Sequence, residues 1–352
     1  MRHILLLTPG FPQSDNDTTC IPSLQALVWE LQEKYHQEVS LQVVTFHYPF
    51  KQGSYKWKGI PCWSAGGQNS KLPFKLWTWL KVIQFVIRLH KNKPVDIIHS
   101  FWLQECTFIG QLLSHIIGAH HIAHAMGRDV LPLNVYVKFL NRKKITLVAN
   151  SPFTAHKLVT NFNWNPQSII PFGIRESDFK NVQVPATRQI DILAVGSLSE
   201  IKNHQLFIEL FFELKKIYPQ LRGKIIGEGP LRQSLEEKIK IMGLQHSIEL
   251  TGELARPEVL QIMNQSKILL HTAEFESAAY VFLEALYSGM NVVSFKTGYL
   301  PDSLNGHQCA DRNEMLMVLK KLLDSKSILF KNDLPKISDT ASEIYNLYKN
   351  IV

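Results

Sequence analysis

Asp191-Ile192-Leu193-Ala194-Val195-Gly196-Ser197-Leu198-Ser199-Glu200-Ile201-Lys202-Asn203 is the stretch whose reading decides the fold. An apolar run from Ile192 to Val195 ends on a glycine and passes toward a helical pattern. A run without polar alternation suits a strand covered on both faces, as in a parallel sheet flanked by helices. Similar candidate strands follow at 223–226, 248–251, 267–271 and 291–295, and precede it at 3–8, 41–46, 95–99, 120–125 and 145–149. Helical patterns lie between them, which predicts right-handed βαβ units. The strand series restarts near residue 190, after Pro171-Phe172-Gly173-Ile174-Arg175 and a polar stretch to Arg188 that reads as a linker. The expected division is an N-terminal domain at 1–172, a linker at 173–188, a C-terminal domain at 189–336 and a terminal helix at 337–352. Ile344, Leu347, Tyr348 and Ile351 form the apolar stripe of that helix. Two doubly wound domains joined this way leave a cleft beyond the carboxyl ends of their strands, where ligands bind.

The chain has 352 residues, 45% apolar and 19% charged, enough for two cores and too apolar for a disordered protein. Its net charge is +8, and the excess is one-sided. Residues 1–172 carry 17 Lys and Arg against 8 Asp and Glu, or +9, whereas 173–352 carry 21 against 22, or −1. Such asymmetry predicts that one domain faces an anionic partner. No nucleic-acid recognition motif accompanies it, so nucleic acid is not the expected partner. Cys20, Cys62, Cys106 and Cys309 show neither zinc spacing nor a disulfide framework, which suits reduced thiols and a cytoplasmic location. Thr8-Pro9-Gly10 interrupts the opening apolar run before a signal sequence could form, and no apolar run is long enough to span a membrane. Residues 73–92 form an apolar helix on which Lys75, Thr78, Lys81, Gln84, Arg88 and Lys91 make a narrow polar, basic stripe. It reads either as a buried helix with one solvated edge or as a peripheral contact with an anionic membrane, with Trp77 and Trp79 at the interface.

Chemistry concentrates in Phe275-Glu276-Ser277-Ala278-Ala279-Tyr280-Val281-Phe282-Leu283-Glu284-Ala285-Leu286-Tyr287-Ser288-Gly289. Ser277 is a natural N-cap and Gly289 a natural stop, and Glu284 is the lone carboxylate on an otherwise apolar helix. A buried carboxylate is costly unless paired or hydrogen-bonded. Glu276 precedes the helix start, whose unpaired N–H groups attract phosphate. The two carboxylates suit sugar and ribose hydroxyls; equally, Glu284 pairs with a buried cation and Glu276 is merely exposed. Gly196 lets backbone approach a ligand, and Lys202 is expected to open the following helix, where a cation could neutralise a diphosphate leaving group. Gly227-Glu228-Gly229-Pro230 is a further strand-to-helix turn, read either as a ligand contact or as a plain connection.

Together these segments resemble the retaining glycosyltransferases of family 4. The resemblance is carried by Gly196 with Lys202, the Gly227–Pro230 turn, Leu250-Thr251-Gly252-Glu253-Leu254, the Glu276/Glu284 pair, and Gly298 with Pro301. Looser matches are Asp96–Trp102, Gly127-Arg128-Asp129, Asn150–Thr154 and Ile170–Ile174. It implies an α/β fold of two facing Rossmann-like domains (GT-B type) with a deep interdomain cleft and a C-terminal helix packing back on the N-terminal domain. It implies transfer of a sugar from a nucleoside diphosphate sugar to an acceptor hydroxyl, with retention, in the making of cell-surface polysaccharide or glycolipid. The implied donor-side residues are Gly196, Ser197, Lys202, Glu253, Leu254, Glu276, Ala279, Tyr280, Val281 and Glu284. Glu276 and Lys202 are the catalytic pair: Glu276 meets the sugar, Lys202 the departing diphosphate, Glu284 the ribose. The acceptor side would hold Thr19, His124, Gly127, Arg128 and Asp129, against a glycan or a lipid-linked acceptor; His124, two residues before Met126, reads either as a substitute for the family's histidine or as a core or surface histidine. No cofactor and no metal are implied, since cations and the helix dipole neutralise the diphosphate. The protein is expected in the cytoplasm or on the inner face of its membrane. The chain departs from the family pattern at Asp17–Pro22, which lacks the usual paired glycines, at Ala279, which replaces a common glycine, and at two further positions. Ser197 stands where an Arg is usual, and Met126 where a His often precedes the acceptor-loop glycine. The alternatives are a sugar-nucleotide epimerase of similar architecture and a catalytically weak partner subunit.

Overall fold

A computed structural model describes residues 1–351 except Asn181, Gln183, Val184, Ala186 and 326–333. Two compact units divide it: unit 1 is Met1–Gly173 with Pro335–Val352, and unit 2 is Ile174–Leu334. The expected linker and the end of the terminal helix fall partly outside the described residues.

Unit 1 is built on strands β1 (Arg2–Gly10), β2 (Val39–Tyr48), β3 (Gly53–Trp57), β4 (Ile60–Ser64), β5 (Ile97–Phe101), β6 (His120–Ala125), β7 (Thr146–Ala149) and β8 (Ser168–Ile169). They run in the order β3-β4-β2-β1-β5-β6-β7-β8. All described pairings are parallel except β3 with β4, a hairpin closed at Lys58-Gly59, both in the left-handed region. That hairpin was not anticipated, because its alternating side chains lack the continuous apolar run of the central strands. Helices α1 (Pro22–Tyr35), α2 (Phe74–Asn92), α3 (Glu105–Ile117) and α4 (Pro152–Phe162) cover the sheet. The core between the sheet and α2/α3 includes Leu5, Leu7, Val44, Phe46, Val82, Val86, Ile98 and Leu113.

The polar stripe expected on α2 does not hold as drawn. Thr78 faces inward, buried with Val82 and Val86, while Phe74, Leu76, Trp77 and Leu80 are exposed. Trp79 turns inward to donate from Nε1 to Glu105 (2.8 Å), so of the two tryptophans only Trp77 faces solvent. Buried Glu105 also accepts from His47 (2.5 Å), and Lys75 lies 3.4 Å away. These partners outweigh burial and hold the Glu105 carboxyl below its usual pKa.

Unit 2 carries β9 (Ile190–Val195), β10 (Gly223–Ile226), β11 (Ile248–Gly252), β12 (Ser266–His271), β13 (Asn291–Phe295) and β14 (Gly306–Cys309), in the order β11-β10-β9-β12-β13-β14. Every described strand pairing is parallel. Helices α5 (His204–Lys215), α6 (Arg232–Ile241), α7 (Arg256–Asn264), α8 (Tyr280–Tyr287) and α9 (Arg312–Asp324) lie along it. One buried cluster holds Leu210, Phe211, Ile225 and Leu270, and another Leu193, Leu269, Phe282 and Val292. Neighbouring positions on β9 and β12 thus feed cores on opposite faces, as strand alternation requires. The order turns between β9 and β12, the switch point where such sheets bind ligands. Unit 2 is therefore a doubly wound, Rossmann-like domain, and unit 1 is another.

The terminal helix α10 (Ile337–Asn350) belongs to unit 1. Tyr345 stacks on Tyr35 of α1 at 4.0 Å between ring centroids, and the buried Tyr348 hydroxyl meets His99 Nδ1 at 2.7 Å. Thr340 Oγ1 accepts from Gly173 N–H (2.9 Å) and donates to Pro171 O (2.7 Å), tying the helix to the last residues of the first stretch of unit 1.

Candidate functional site

Unit 2 brings three distant segments together at the carboxyl ends of β9 and β12. Gly196 follows β9 at φ +152°, and a Cβ there would lie 3.4 Å from the Lys202 side chain. Lys202 does not open a helix. It ends a short 3-10 turn, Glu200–Lys202, and α5 starts at His204, with Asn203 Oδ1 accepting from Leu206 N–H. Thr272, just past β12, donates to the carbonyls of Lys202 and Asn203 (3.0 and 2.9 Å), which fixes that turn against the strand end.

The Lys202 ammonium is ion-paired with Glu276 Oε1, across 74 residues of sequence. His271 Nε2 lies 3.1 Å from the same oxygen. Burial lowers the imidazole's pKa, so the ring is neutral at neutral pH, and beside an acceptor-only carboxylate its Nε2 carries the hydrogen. Burial alone would raise the Glu276 pKa, but the His271 hydrogen bond and the Lys202 charge hold it down to about 2. The carboxylate is thus ionised and oriented by two donors. Phe282 of α8 packs edge-on against the His271 ring at 4.9 Å and fixes its plane.

Ser277 is not the N-cap. The helix begins at Tyr280 with Ala279 in the cap position and no side-chain cap; Phe282 N–H is taken by Ala279 O (2.9 Å), and no side chain caps the N–H groups before it. Glu276 lies on the loop before the helix, where the sequence reading put it, and Glu284 lies within the helix. Glu284 is buried and accepts from Arg256 Nε (2.8 Å), the buried-cation alternative raised by the sequence. Arg256 also reaches Asp178 Oδ2 (2.5 Å) and lies over the Tyr280 ring at 5.8 Å. Burial pushes the Glu284 pKa up against the pull of Arg256; for Arg256, burial is outweighed by its carboxylates, and its pKa rises.

Ser197 is exposed, its hydroxyl 3.1 Å from that of Ser199, and Glu253 is exposed while Leu254 packs on the core near α8. The glycines of the Gly227–Pro230 turn have a packing role. A Cβ on Gly227 would fall 1.9 Å from Gly196 O, and one on Gly229 2.6 Å from Leu198 O. They let the turn after β10 lie against the turn after β9.

In unit 1 the expected acceptor-side residues scatter. Thr19 and Arg128 are exposed and Gly127 half-buried. Asp129 is wholly buried and receives N–H groups from Gly127 (2.5 Å) and Leu103 (2.8 Å), so it shapes the loop from within. His124 is also wholly buried, stacked with His99 and Phe101 and tilted on Phe172, with no hydrogen bond of good geometry to either ring nitrogen. Burial pulls its pKa down to about 3. It is a core histidine and does not replace the histidine that Met126 displaces.

Sequence reasoning passed over His271, Arg256 and His204. Nothing local marks the first two: their partners lie 5 and 28 residues away and meet them only in the fold. His204 starts α5 beside the site, 4% exposed, with no hydrogen bond of good geometry to either ring nitrogen. The sequence reading expected no Asp-x-Asp motif to hold a metal, but Asp15 and Asp17 stand at that spacing. Asp15 accepts Lys58 N–H (2.6 Å) and Asp17 the Tyr48 hydroxyl (2.7 Å), so both are spent on loop structure. Among the described residues no group of His, Cys, Asp or Glu is placed to hold a metal ion, and no helix is long and apolar enough to cross a membrane.

Residues 175–315, nearly all of unit 2, match the family model described as Glycosyl transferases group 1. The gpi3 polypeptide of the Schizosaccharomyces pombe phosphatidylinositol N-acetylglucosaminyltransferase is 28% identical over 146 residues, 41% of this chain and 32% of that protein. The corresponding human polypeptide of phosphatidylinositol N-acetylglucosaminyltransferase is 32% identical over 142 residues, 40% of this chain and 29% of that protein. The chain thus spans about a third of the length of these relatives. Among solved structures, the sucrose-phosphate synthase of Thermosynechococcus elongatus superposes with a TM-score of 0.80 at 15% identity, over 100% of this chain and 99% of that one. Anabaena HepE, solved in complex with UDP and glucose, gives 0.76 at 15% identity, over 99% of each chain. The family match is thus confined to residues 175–315, within a fold of the GT-B type.

Proposed function

We propose that the protein transfers a glycosyl unit from a nucleoside diphosphate sugar to an acceptor hydroxyl, with retention at the anomeric carbon, in the making of a glycan or glycolipid. The observation that carries this is the meeting of Lys202, Glu276 and the uncapped start of α8 at one strand end. In this reading the helix start and Lys202 take the diphosphate, and Glu276 takes hydroxyl hydrogens of the sugar. Both exploit charge already oriented in the free protein, which is how a preorganised site stabilises a leaving group. Glu276, held ionised by His271, accepts hydrogen bonds and does not act as an acid. The acceptor then attacks from the face the diphosphate leaves, and a phosphate oxygen takes its proton. Glu284, oriented by Arg256, lies further along α8 toward the nucleoside end. The complex of HepE with UDP and glucose supports a uridine donor as the first to test.

Isothermal titration with UDP-, GDP- and ADP-sugars tests the first step. One of them binds, and Lys202→Ala lowers turnover by about a hundredfold to a thousandfold, the scale of losing one charge-stabilising group. The reading fails if none of the donors binds. Ser197, exposed on the turn where the family pattern has a cation, favours a second reading, a partner subunit with weak catalysis. Donor hydrolysis unchanged in Lys202→Ala would favour that one.

A further inference from the structure

We propose that one face of unit 1 docks on the surface of an anionic lipid bilayer. Ten of the large apolar side chains exposed among the described residues come from just three segments: α2 with the residues leading into it, α3, and residues 133–139. The most exposed are Leu133 (91%), Leu72, Phe74, Phe139, Trp77 and Val135 (57%), and Leu80 is exposed as well. Scattered exposed apolar residues are ordinary, but a contiguous group is not.

The group is contiguous because α2 cannot rotate. Glu105 draws Trp79 and Lys75 inward, which turns Phe74, Trp77 and Leu80 outward. The Lys75 ammonium lies 5.6 Å from the Tyr136 ring centroid, and the Trp79 ring 6.4 Å from the same ring. Phe108 of α3 lies 6.3 Å from Phe139. The aromatic cluster Trp79–Phe108–Tyr136 therefore joins the three segments from beneath.

Charge selects the occupant. From Val39 to Lys144 the chain carries fourteen Lys and Arg against three acids, Asp96, Glu105 and Asp129. Glu105 and Asp129 are buried, and Asp96 sits at the amino end of β5, away from residues 133–139, which follow the carboxyl end of β6. Lys71, Lys138, Lys143 and Lys144 are exposed in the segments flanking the apolar group. A second copy of the same face would bring these cations together, which disfavours self-association. Aromatic and aliphatic side chains ringed by lysines match instead the headgroup zone of an anionic leaflet, where the rings enter the interface and the ammonium groups meet phosphate. Residues 133–139 continue directly from the Gly127–Asp129 loop, and Asn134 Nδ2 is bonded to the carbonyls of Leu103 and Asp129 (2.7 Å each). A bilayer on this face would therefore present a lipid-linked acceptor to that loop. That last role rests on the transferase reading; the docking does not.

The test is co-sedimentation of the full chain with vesicles of phosphatidylcholine alone and of phosphatidylcholine with phosphatidylglycerol, together with sedimentation velocity of the free protein. Binding is expected only with phosphatidylglycerol and is expected to weaken with salt. Trp77→Glu with Leu133→Glu weakens it about tenfold or more, while the unfolding temperature and the donor titration stay unchanged. Equal binding to neutral vesicles overturns the role of charge. Undiminished binding by the double variant overturns the surface. A dimer that the variant abolishes, with no vesicle binding, assigns the face to a second copy. A donor titration that fails while vesicle binding holds removes the transferase reading and leaves the docking.

Discussion

Replacing Arg256 with methionine should cost unit 2 more stability than any exposed substitution, and the cost follows from its partners. The guanidinium pairs with Glu284 and Asp178, and Glu284 is buried. Methionine fills much the same volume but leaves the Glu284 carboxylate without its cation. Breaking a buried pair from one side costs about 3–5 kcal/mol, chiefly because a charge remains uncompensated. Burial already pushes the Glu284 pKa up, so the orphaned carboxyl would take a proton and recover part of that loss. For a unit of 161 residues, Ile174 to Leu334, each kcal/mol is worth roughly 2–4 °C, so a fall of about 6–20 °C is expected by calorimetry. Adding Glu284→Leu removes the orphan and should restore most of the loss, as buried pairs replaced by apolar groups usually do. Donor affinity should not return with the stability if Glu284 also holds the ribose. A single variant that shifts the transition by under about 2 °C would refute the pairing. So would a double variant no more stable than the single.

Gly227→Ala should give little folded protein, because its Cβ would fall 1.9 Å from Gly196 O, a backbone atom that cannot step aside; soluble yield and circular dichroism check this. His271→Phe keeps the ring packing on Phe282 but removes a donor to Glu276, whose folded pKa should rise from about 2 toward the usual range. Because that pKa is depressed, the stabilisation from Glu276 is complete above the unfolded carboxyl value of 4.5 and is lost as pH falls through about 2. The slope of unfolding temperature between those limits should be shallower in the variant, and an unchanged slope would count against the hydrogen bond. Turnover should survive dialysis against a chelator, measured with the donor that binds; loss restored by magnesium or manganese would place a metal where Lys202 and the helix start are proposed to act.

The parallel core of both sheets was legible in the chain because a strand covered on two faces is largely apolar, as Ile192–Val195 and most of its counterparts are. The hairpin β3–β4 and the short strands β8 and β14 were not: β3, β8 and β14 are only partly buried, and β4, though mostly buried, is short and broken by exposed Pro61. Glu276, Glu284 and Lys202 stood out from sequence, Glu284 through a carboxylate in an apolar setting, Glu276 through its place before a helix start and Lys202 through a cation beyond the strand-end glycine. Their partners did not. His271 reaches Glu276 across a strand end, Arg256 reaches Glu284 from a neighbouring helix, and Glu105 turns α2 so that Trp77 rather than Trp79 faces outward. Periodicity is a property of neighbours along the chain, so it located the elements and the unusual residues. Which side of a helix faces in, and which histidine is core or site, depends on contacts between residues far apart in sequence, and only the folded chain decides those.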